Sequence, residues 1–157
     1  MPHPVPARFE ARAAFLLAGL RREHALDDAG ATIAAQWRDF HALAEVAGLD
    51  VTVTYGASCA SDVATNRLEY LTGVELPSFD GLAEIMGRMR VPAAHYAVFV
   101  HAGEQATVGA TWHAAVHEWL PASSWHDAGT PDFVVHHADE ATGAVRTELW
   151  LPVVPRG

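Results

Sequence analysis

The sequence predicts an α+β fold in which a β-α-β-β unit occurs twice around a central ligand cleft. In each half, an apolar strand-like run precedes an amphipathic segment around a tryptophan, Trp37 or Trp112, and two more strand-like runs follow. The last of these runs begin alike, with EYLTGV at 69–74 and ELWLPV at 148–153. Helices flanked by antiparallel strands favour one antiparallel sheet with two helices on one face. Such units are expected to pack with pseudo-twofold symmetry, and ligands often bind where repeats meet.

Length and composition indicate a single domain, which we expect to span residues 7–155, with half-repeats at about 7–76 and 91–155. The chain has 157 residues, half of them apolar, which is enough to bury a core of its own. Residues 1–6 contain three prolines and are expected to form a loose tail. No apolar run approaches the roughly 20 residues that cross a bilayer, and no cleavage site follows the first apolar run. We therefore expect a cytoplasmic protein without membrane contacts.

The charge is strongly acidic, which bears on the partners of the protein. Ten arginines, with no lysine, stand against 19 acidic residues, for a net charge of −9. Because nucleic-acid affinity comes mainly from cationic contacts to phosphates, we expect no direct nucleic acid binding. The acidity instead favours encounters with cationic molecules. A single cysteine, Cys59, excludes an internal disulfide and is compatible with a reducing cytosol.

The first half is predicted to begin with a strand and a helix. Residues 8–23 read as one long strand, broken, if at all, near Gly19. Asp27 and Asp28 are candidate N-caps for the helix that follows, and Gly48 is its expected end. The apolar stripe of this helix comprises Ile33, Trp37, Phe40, Leu43 and Ala47.

Two further strands complete the first half. Residues 51–55 alternate apolar side chains with threonines, as a half-buried strand does. Residues 57–66 are polar and rich in turn formers, so we expect a loop there. Residues 67–76 form the next strand, and a loop at 77–81 follows.

The second half begins in the same way. Residues 94–101 are rich in strand formers, and Gly103 is expected to end the strand. A helix follows, which Pro121 is expected to stop. Its apolar stripe comprises Val108, Trp112, Ala115, Val116 and Trp119.

The C-terminal part is predicted to be a loop and a hairpin. The loop, at 122–131, contains Trp125. Residues 133–137 and 146–153 then alternate as paired strands, with a turn at 138–143.

One face of the last strand carries the chemistry of the predicted site. Because side chains alternate along a strand, Arg146, Glu148 and Trp150 share one face, while Leu149 and Leu151 face the helices. A carboxylate beside an indole suits an aromatic cation, which pairs with Glu148 and stacks on Trp150. Periodicity leaves open the alternative of a solvated face where Glu148 pairs only with Arg146 or a cross-strand neighbour. Beside an aromatic wall, the pKa of Glu148 is expected to rise, which would suit a general base.

Other candidate positions rest on less. Tyr70 reaches the cleft only if the repeat is offset by one residue. His113 and His117 are four residues apart on a helix, but a third metal ligand and the His-Glu-x-x-His order are missing, so we expect no metal. Trp119 ends its helix near the expected cleft edge, and a loop tryptophan such as Trp125 is typical of a binding residue or lid.

Six short segments follow one another in a recognisable order. They read WRDF at 37–40, YG at 55–56, EYLTGVE at 69–75, VPAAHYAVFVHAG at 91–103, WLPAS at 119–123 and ELWLPV at 148–153. No single segment is specific. Their order and spacing, over about residues 12–153, resemble the GyrI-like effector-binding domains, the small-molecule-binding domains of bacterial transcription activators.

The resemblance implies a central cleft that binds hydrophobic, often cationic, aromatic compounds around a buried glutamate. That glutamate maps onto Glu148, and the aromatic residues that line the family's pockets map best onto Tyr70, Trp125 and Trp150. The full set of candidate ligand-binding residues is Glu148, Trp150, Tyr70, Trp125, Trp119 and Tyr96.

The resemblance also shapes the expected function. Many relatives carry a helix-turn-helix ahead of this domain, whereas only residues 1–6 precede the first strand here, so the chain resembles the stand-alone members. At 133–136 it reads FVVH where the family often has F-E-x-Y, so its cleft is expected to be less anionic.

We therefore expect binding of hydrophobic, cationic aromatic small molecules, without a DNA-binding domain, a cofactor or ordinary catalysis. The alternative is a hydrolase of strained, cyclopropane-bearing natural products, with Glu148 as its catalytic group. A third reading is a protein-interaction module, with another protein or a second copy of the chain as partner.

Overall fold

The computed structural model describes residues 5–101, 107–139 and 141–156. Within them, nine strands form an antiparallel sheet with two helices, which confirms the predicted α+β class. The strands are β1 (Arg8–Arg12), β2 (Phe15–Ala25), β3 (Val53–Asp62), β4 (Arg67–Leu76), β5 (Gly87–Val91), β6 (Ala94–His101), β7 (Trp125–Asp127), β8 (Phe133–Ala138) and β9 (Val145–Pro155). The helices are α1 (Ala29–Ala47) and α2 (Val108–Ala114). None of the helices described is long and apolar enough to cross a membrane.

The edge strands exchange between the two halves of the sheet. The strand order is β1-β6-β9-β8-β3-β4-β2-β5, and β7 pairs with the end of β9. β1 runs into β2 through residues 13–14 but pairs with β6, and β5 runs into β6 through residues 92–93 but pairs with β2. Arg12 and Phe15 thus lie toward opposite edges of the sheet, although three residue steps span at most about 11 Å. The sheet must therefore curl until its edges meet, which creates a concave inner face.

The inner face carries a core drawn from both halves and both edges of the sheet. It comprises Phe15, Leu17, Tyr55, Ala57, Leu71, Met89, Val91, Tyr96, Val98, Phe133, Val135 and Trp150. The helices cover the opposite, outer face. α1 buries Phe40 against Val74, and α2 with its continuation packs over Phe99 and Leu149.

The first predicted strand is broken at residues 13–14 and not near Gly19. The break is set by the exchange of β1 to the far edge of the sheet, which no local pattern encodes. Gly19 lies inside β2, where a Cβ atom would come 2.0 Å from the backbone oxygen of Thr72. Glycine is therefore required there for close approach of β4. The loop predicted at 57–66 is also wrong, because β3 continues to Asp62 around a bulge at 58–60.

Both helices end near their predicted limits. α1 stops at Gly48, whose φ of 69° is the left-handed conformation that favours glycine. Asp28 stands at the N-cap but makes no side-chain cap hydrogen bond. α2 continues through a π-helical turn, Ala115–Trp119, and ends one residue beyond Pro121. Residues 1–4 of the predicted tail and Gly103 lie outside the described residues.

Two short strands escaped the sequence analysis. β5 precedes β6 and β7 lies in the segment expected to be a loop. Each is an edge or end pairing of three to five residues, too short to show a period. β4 and β6 have the predicted limits, and β8 and β9 form the predicted hairpin.

Candidate ligand-binding site

Glu148 and Trp150 lie together on the inner face of β9. Their cross-strand partners on β8 are Val135 and Phe133, which belong to the inner core. The indole Nε1 of Trp150 donates a hydrogen bond to Oε1 of Glu148 at 3.3 Å. Only 4% of the Glu148 side chain is exposed, so the carboxylate is not on an open surface.

Three cationic or titratable groups surround the Glu148 carboxylate. Oε2 accepts hydrogen bonds from Arg8 at 3.0 Å and Arg146 at 2.8 Å, and Nε2 of His137 lies 3.4 Å from Oε1. The expected pairing with Arg146 is thus present within a buried setting. Arg8 comes from β1, 140 residues earlier in the chain.

The ion pairs decide the protonation of Glu148. Burial of the carboxyl acts to raise its pKa, but the hydrogen bond and charge of Arg8, the bond from Trp150 and the charge of Arg146 outweigh burial. The pKa of Glu148 is consequently lowered. The expectation of a raised pKa was wrong, because it considered the aromatic wall and not the arginines that the fold brings in.

Five aromatic side chains of the inner face contact one another in a cluster that we call the aromatic cage. Its members are Phe15, Tyr55, Tyr96, Phe133 and Trp150. Phe133 stacks on Trp150 with ring centroids 5.4 Å apart and an 18° angle between planes. Tyr96 meets both rings edge-on, at 5.2 and 5.4 Å. The cage is thus a closely packed box whose five rings come from five different strands.

The guanidinium of Arg12 lies at the cage. Its Cζ is 3.6 Å from the ring centroid of Phe15, 5.5 Å from Tyr55 and 5.9 Å from Trp150. It donates hydrogen bonds to the Tyr55 hydroxyl at 3.3 Å and to Glu75 at 2.5 Å. Arg12 therefore has the environment that an aromatic cage offers a bound cation.

The hydroxyl of Tyr96 is the polar group of the cage that lacks a hydrogen-bond partner among the described residues. This hydroxyl is buried. Leaving such a group unsatisfied costs about 1–3 kcal/mol, and native proteins contain few of them. The hydroxyl is therefore available for a hydrogen bond with a polar atom of a ligand.

Sequence reasoning assembled only part of this site. It missed Phe15, Tyr55 and Phe133 as members of the cage, and Arg8 and Arg12 as partners. The sequence placed Tyr55 on a strand, but no local pattern showed which strand would pair with it. The cross-strand register that joins it to Phe133 is a tertiary property.

The other three candidate residues lie on the outer face, away from Glu148. Trp125, held on β7, stacks on Phe9 with centroids 5.0 Å apart, and Trp119 lies 5.3 Å from Phe99. Tyr70 lies over the outer face beside α1. The structure therefore brings Glu148, Trp150 and Tyr96 together and does not bring Tyr70, Trp119 and Trp125 to them. Strand alternation turns the side chain of Tyr70 to the outer face of β4, and the pairing of β7 with the end of β9 holds Trp125 there.

A groove of about 770 Å³ runs between the two helices on the outer face. Trp37, Tyr70 and His136 are among its lining residues, and none of the lining residues that the structure describes is acidic. Burial, together with His41 and His137, lowers the pKa of His136 to about 4, so the imidazole is neutral at physiological pH. The volume of the groove suits a small ligand, but its described lining offers a cation no counter-charge.

Metal binding has no support among the residues that are described. The rings of His113 and His117 lie 4.4 Å apart between centroids. No group of three histidine, cysteine, aspartate or glutamate side chains in the described ranges is placed to hold an ion.

Comparisons with known proteins bear on the whole chain. The model of the family described as Cass2, integron-associated effector binding protein, matches residues 8–153. No curated protein matches the sequence. Among solved structures, SAV2435 bound to tetraphenylphosphonium has a TM-score of 0.76 at 17% identity, over 98% of this chain and 94% of the other.

Two more solved structures share the fold. The integron cassette protein VCH_CASS2 of Vibrio cholerae has a TM-score of 0.67 at 17% identity, over 97% of this chain and 98% of the other. The EcmrR C-terminal domain has a TM-score of 0.63 at 9% identity, over 94% and 96%. At these identities the likeness establishes the fold.

Proposed function

This chain belongs to the Cass2 family of integron-associated effector binding proteins, and we propose that it binds a hydrophobic, cationic aromatic small molecule at the inner face of its sheet. In this proposal, residues 7–155 act as one binding domain, and two β-α-β-β units related by a pseudo-twofold axis contribute the site. The observation that carries the proposal is the nearly fully buried carboxylate of Glu148, which accepts a hydrogen bond from the indole of Trp150 in the aromatic cage.

The chemistry of the cage fits such a ligand. Aromatic faces attract cations and stack with aromatic rings, and both effects grow where water is excluded. Glu148 supplies a negative charge at the edge of Trp150. SAV2435, which shares the fold, has been solved with tetraphenylphosphonium, a cation surrounded by four phenyl rings.

The helix groove is the less suitable place for a cation. It has a volume of about 770 Å³, but its lining within the described residues includes Arg38 and no acid. A cation there would gain apolar contacts and lose hydration without a counter-charge. We therefore assign the cation to the inner face, where side chains of the cage must move to admit it.

The contacts of Glu148 favour binding over hydrolysis. A general base needs a free lone pair and a pKa near the working pH. The oxygens of Glu148 accept hydrogen bonds from Arg8, Arg146 and Trp150, and its pKa is lowered. Both properties make it a weak base and a good permanent counter-charge.

Thermal unfolding with and without ligand tests the proposal. Tetraphenylphosphonium at 100 times its dissociation constant should stabilise the protein by about 2.7 kcal/mol. For a chain of this length, that corresponds to a rise in Tm of roughly 5–10 °C. Isothermal titration calorimetry should give a 1:1 complex, with the ligand recovered unchanged. An unchanged Tm together with no heat of binding, for this cation and for a panel of cationic dyes, would overturn the proposal.

A further inference from the structure

We propose that Arg12 is a resident cation of the aromatic cage, which an external aromatic cation must displace in order to bind. This inference rests on the proposed function, since it names the group that competes for the same site. It makes Arg12 a determinant of affinity and selectivity.

The placement of the guanidinium carries the inference. It lies 3.6 Å from the ring centroid of Phe15 and within about 6 Å of the centroids of Tyr55, Phe133 and Trp150. A cation within about 6 Å of a ring centroid is attracted by the ring quadrupole. Four rings of the cage thus already act on one positive charge, in the arrangement that a ligand would require.

The fold directs Arg12 to this point. On β1, Arg12 pairs with Ala94 and Arg8 with Val98 of β6, whose side chains face inward. The exchange of β1 to the far edge then brings Arg12 against Phe15, the first residue of β2. Arg8 and Arg12 are four residues apart on β1. Because side chains alternate between the two faces of a strand, both arginines point to the inner face.

The charges of the site are already balanced without a ligand. Arg8 and Arg146 pair with Glu148, Arg8 also pairs with Glu10, and Arg12 pairs with Glu75, so three arginines stand against three carboxylates. An added cation would therefore meet a carboxylate that already pairs with Arg8 and Arg146, and the positive charge of Arg12 in the cage. Binding becomes favourable only when an arginine gives up its place in the cage.

A route for displacement is built into the contacts of Arg12. Its partner Glu75 exposes 42% of its side chain, so the guanidinium can keep this ion pair while swinging toward solvent. The rings that the guanidinium leaves then face the incoming ligand. The buried hydroxyl of Tyr96, which lacks a hydrogen bond among the described residues, becomes available to a polar atom of the ligand.

The test compares the wild-type protein with Arg12→Met, which keeps an apolar stem of similar length and removes the charge. Arg22→Met is the matched control, because Arg22 pairs with Asp39 and is 43% exposed. The probes are methyltriphenylphosphonium and the neutral triphenylphosphine oxide, measured by calorimetry at fixed ionic strength. Arg12→Met should bind the phosphonium about 10-fold more tightly, and the oxide with a smaller gain, because only the cation loses a like charge. Arg22→Met should bind both probes as the wild type does.

The outcomes separate this inference from the proposed function. Equal or weaker phosphonium binding by Arg12→Met would overturn the role of Arg12 and leave cation binding intact. Absence of binding by the wild type and by Arg12→Met, both folded by circular dichroism, would overturn both. Should Arg12→Met fail to fold, the wild type still decides. In ¹⁵N spectra, the Arg12 Nε–H resonance should move by more than that of Arg22 on saturation with the phosphonium, and an unmoved Arg12 resonance refutes displacement.

Discussion

Replacing Glu148 by glutamine removes the one buried negative charge of the site and keeps its shape. The carboxylate is 4% exposed, whereas its partners Arg8 and Arg146 expose 37% and 59% of their side chains. The arginines can therefore be rehydrated, and the variant loses charge-assisted hydrogen bonds without trapping an unpaired buried cation. We expect a loss of unfolding free energy of about 1–2 kcal/mol, discounted for solvent screening. This should lower Tm by roughly 2–8 °C.

The effect of Glu148→Gln on binding should depend on the charge of the ligand. A cation loses its counter-charge and also meets arginines that Glu148 no longer neutralises. Removing one partner of a largely desolvated charge pair weakens binding by about 2–4 kcal/mol, or roughly 30- to 1000-fold in Kd. A neutral ligand of the same shape should change little, because the cage itself is intact.

Calorimetry with tetraphenylphosphonium and with triphenylphosphine oxide measures both effects. Glu23→Gln is the control, since Glu23 forms an exposed pair with Arg67 and should leave both affinities unchanged. Equal losses for the cation and the neutral ligand would show that Glu148 is only structural. Cation binding that survives in Glu148→Gln at wild-type strength would refute the reasoning and direct attention to the helix groove.

Three further predictions concern stability and can be checked by urea denaturation. Tyr96→Phe removes a buried hydroxyl without a described partner, so the free energy of unfolding should stay constant or rise by up to about 1 kcal/mol; a loss above 1 kcal/mol would mean that the hydroxyl is satisfied. The pKa of His136 is about 4 in the folded protein and near 6.5 in the unfolded chain, so the unfolded state binds a proton first as the pH falls. The contribution of neutral His136 to the free energy of unfolding is therefore complete above pH 6.5 and is lost as the pH falls to 4. This contribution is at most about 3 kcal/mol, and His136→Asn should remove the corresponding pH dependence; an identical slope in the variant would contradict the assignment. Gly19→Ala places a Cβ 2.0 Å from the oxygen of Thr72 and should cost about 3 kcal/mol or more, whereas Gly30→Ala in α1 meets no atom within 4 Å and should be neutral or stabilising; similar values for the two would refute the close approach.

Local patterns predicted those parts of the fold that a single strand or helix determines. Alternation alone placed Glu148 and Trp150 on one face of β9, and a glycine after an amphipathic segment marked the end of α1 at Gly48. The break at residues 13–14 could not be read in this way. It follows from the exchange of β1 between the two halves, and no residue at 13–14 signals that exchange.

The chemistry of the site depends on contacts that are remote in sequence. The pKa of Glu148 is lowered by Arg8, 140 residues away, so an estimate from its immediate neighbours had the wrong sign. Trp125 was assigned from its place in a predicted loop and from the resemblance, and the pairing of β7 with the end of β9 holds it on the other side of the sheet. The resemblance thus predicted the kind of site that we propose, whereas only the cross-strand registers showed which rings contact one another at the inner face.

A cage that already holds a cation changes what selects its ligand. Exchange of a guanidinium for another cation leaves the number of charges in the cage unchanged, so the cation–π contributions largely cancel. Every cation gains the same charge of Glu148, so the difference in affinity between cations must come from apolar surface that the ligand buries and Arg12 does not, at about 25 cal/mol per Å². Small hydrated cations have little such surface and cannot compete, while cations that carry several aromatic rings can. Arg12 would thus make an acidic protein, which attracts every cation at long range, respond only to the hydrophobic ones.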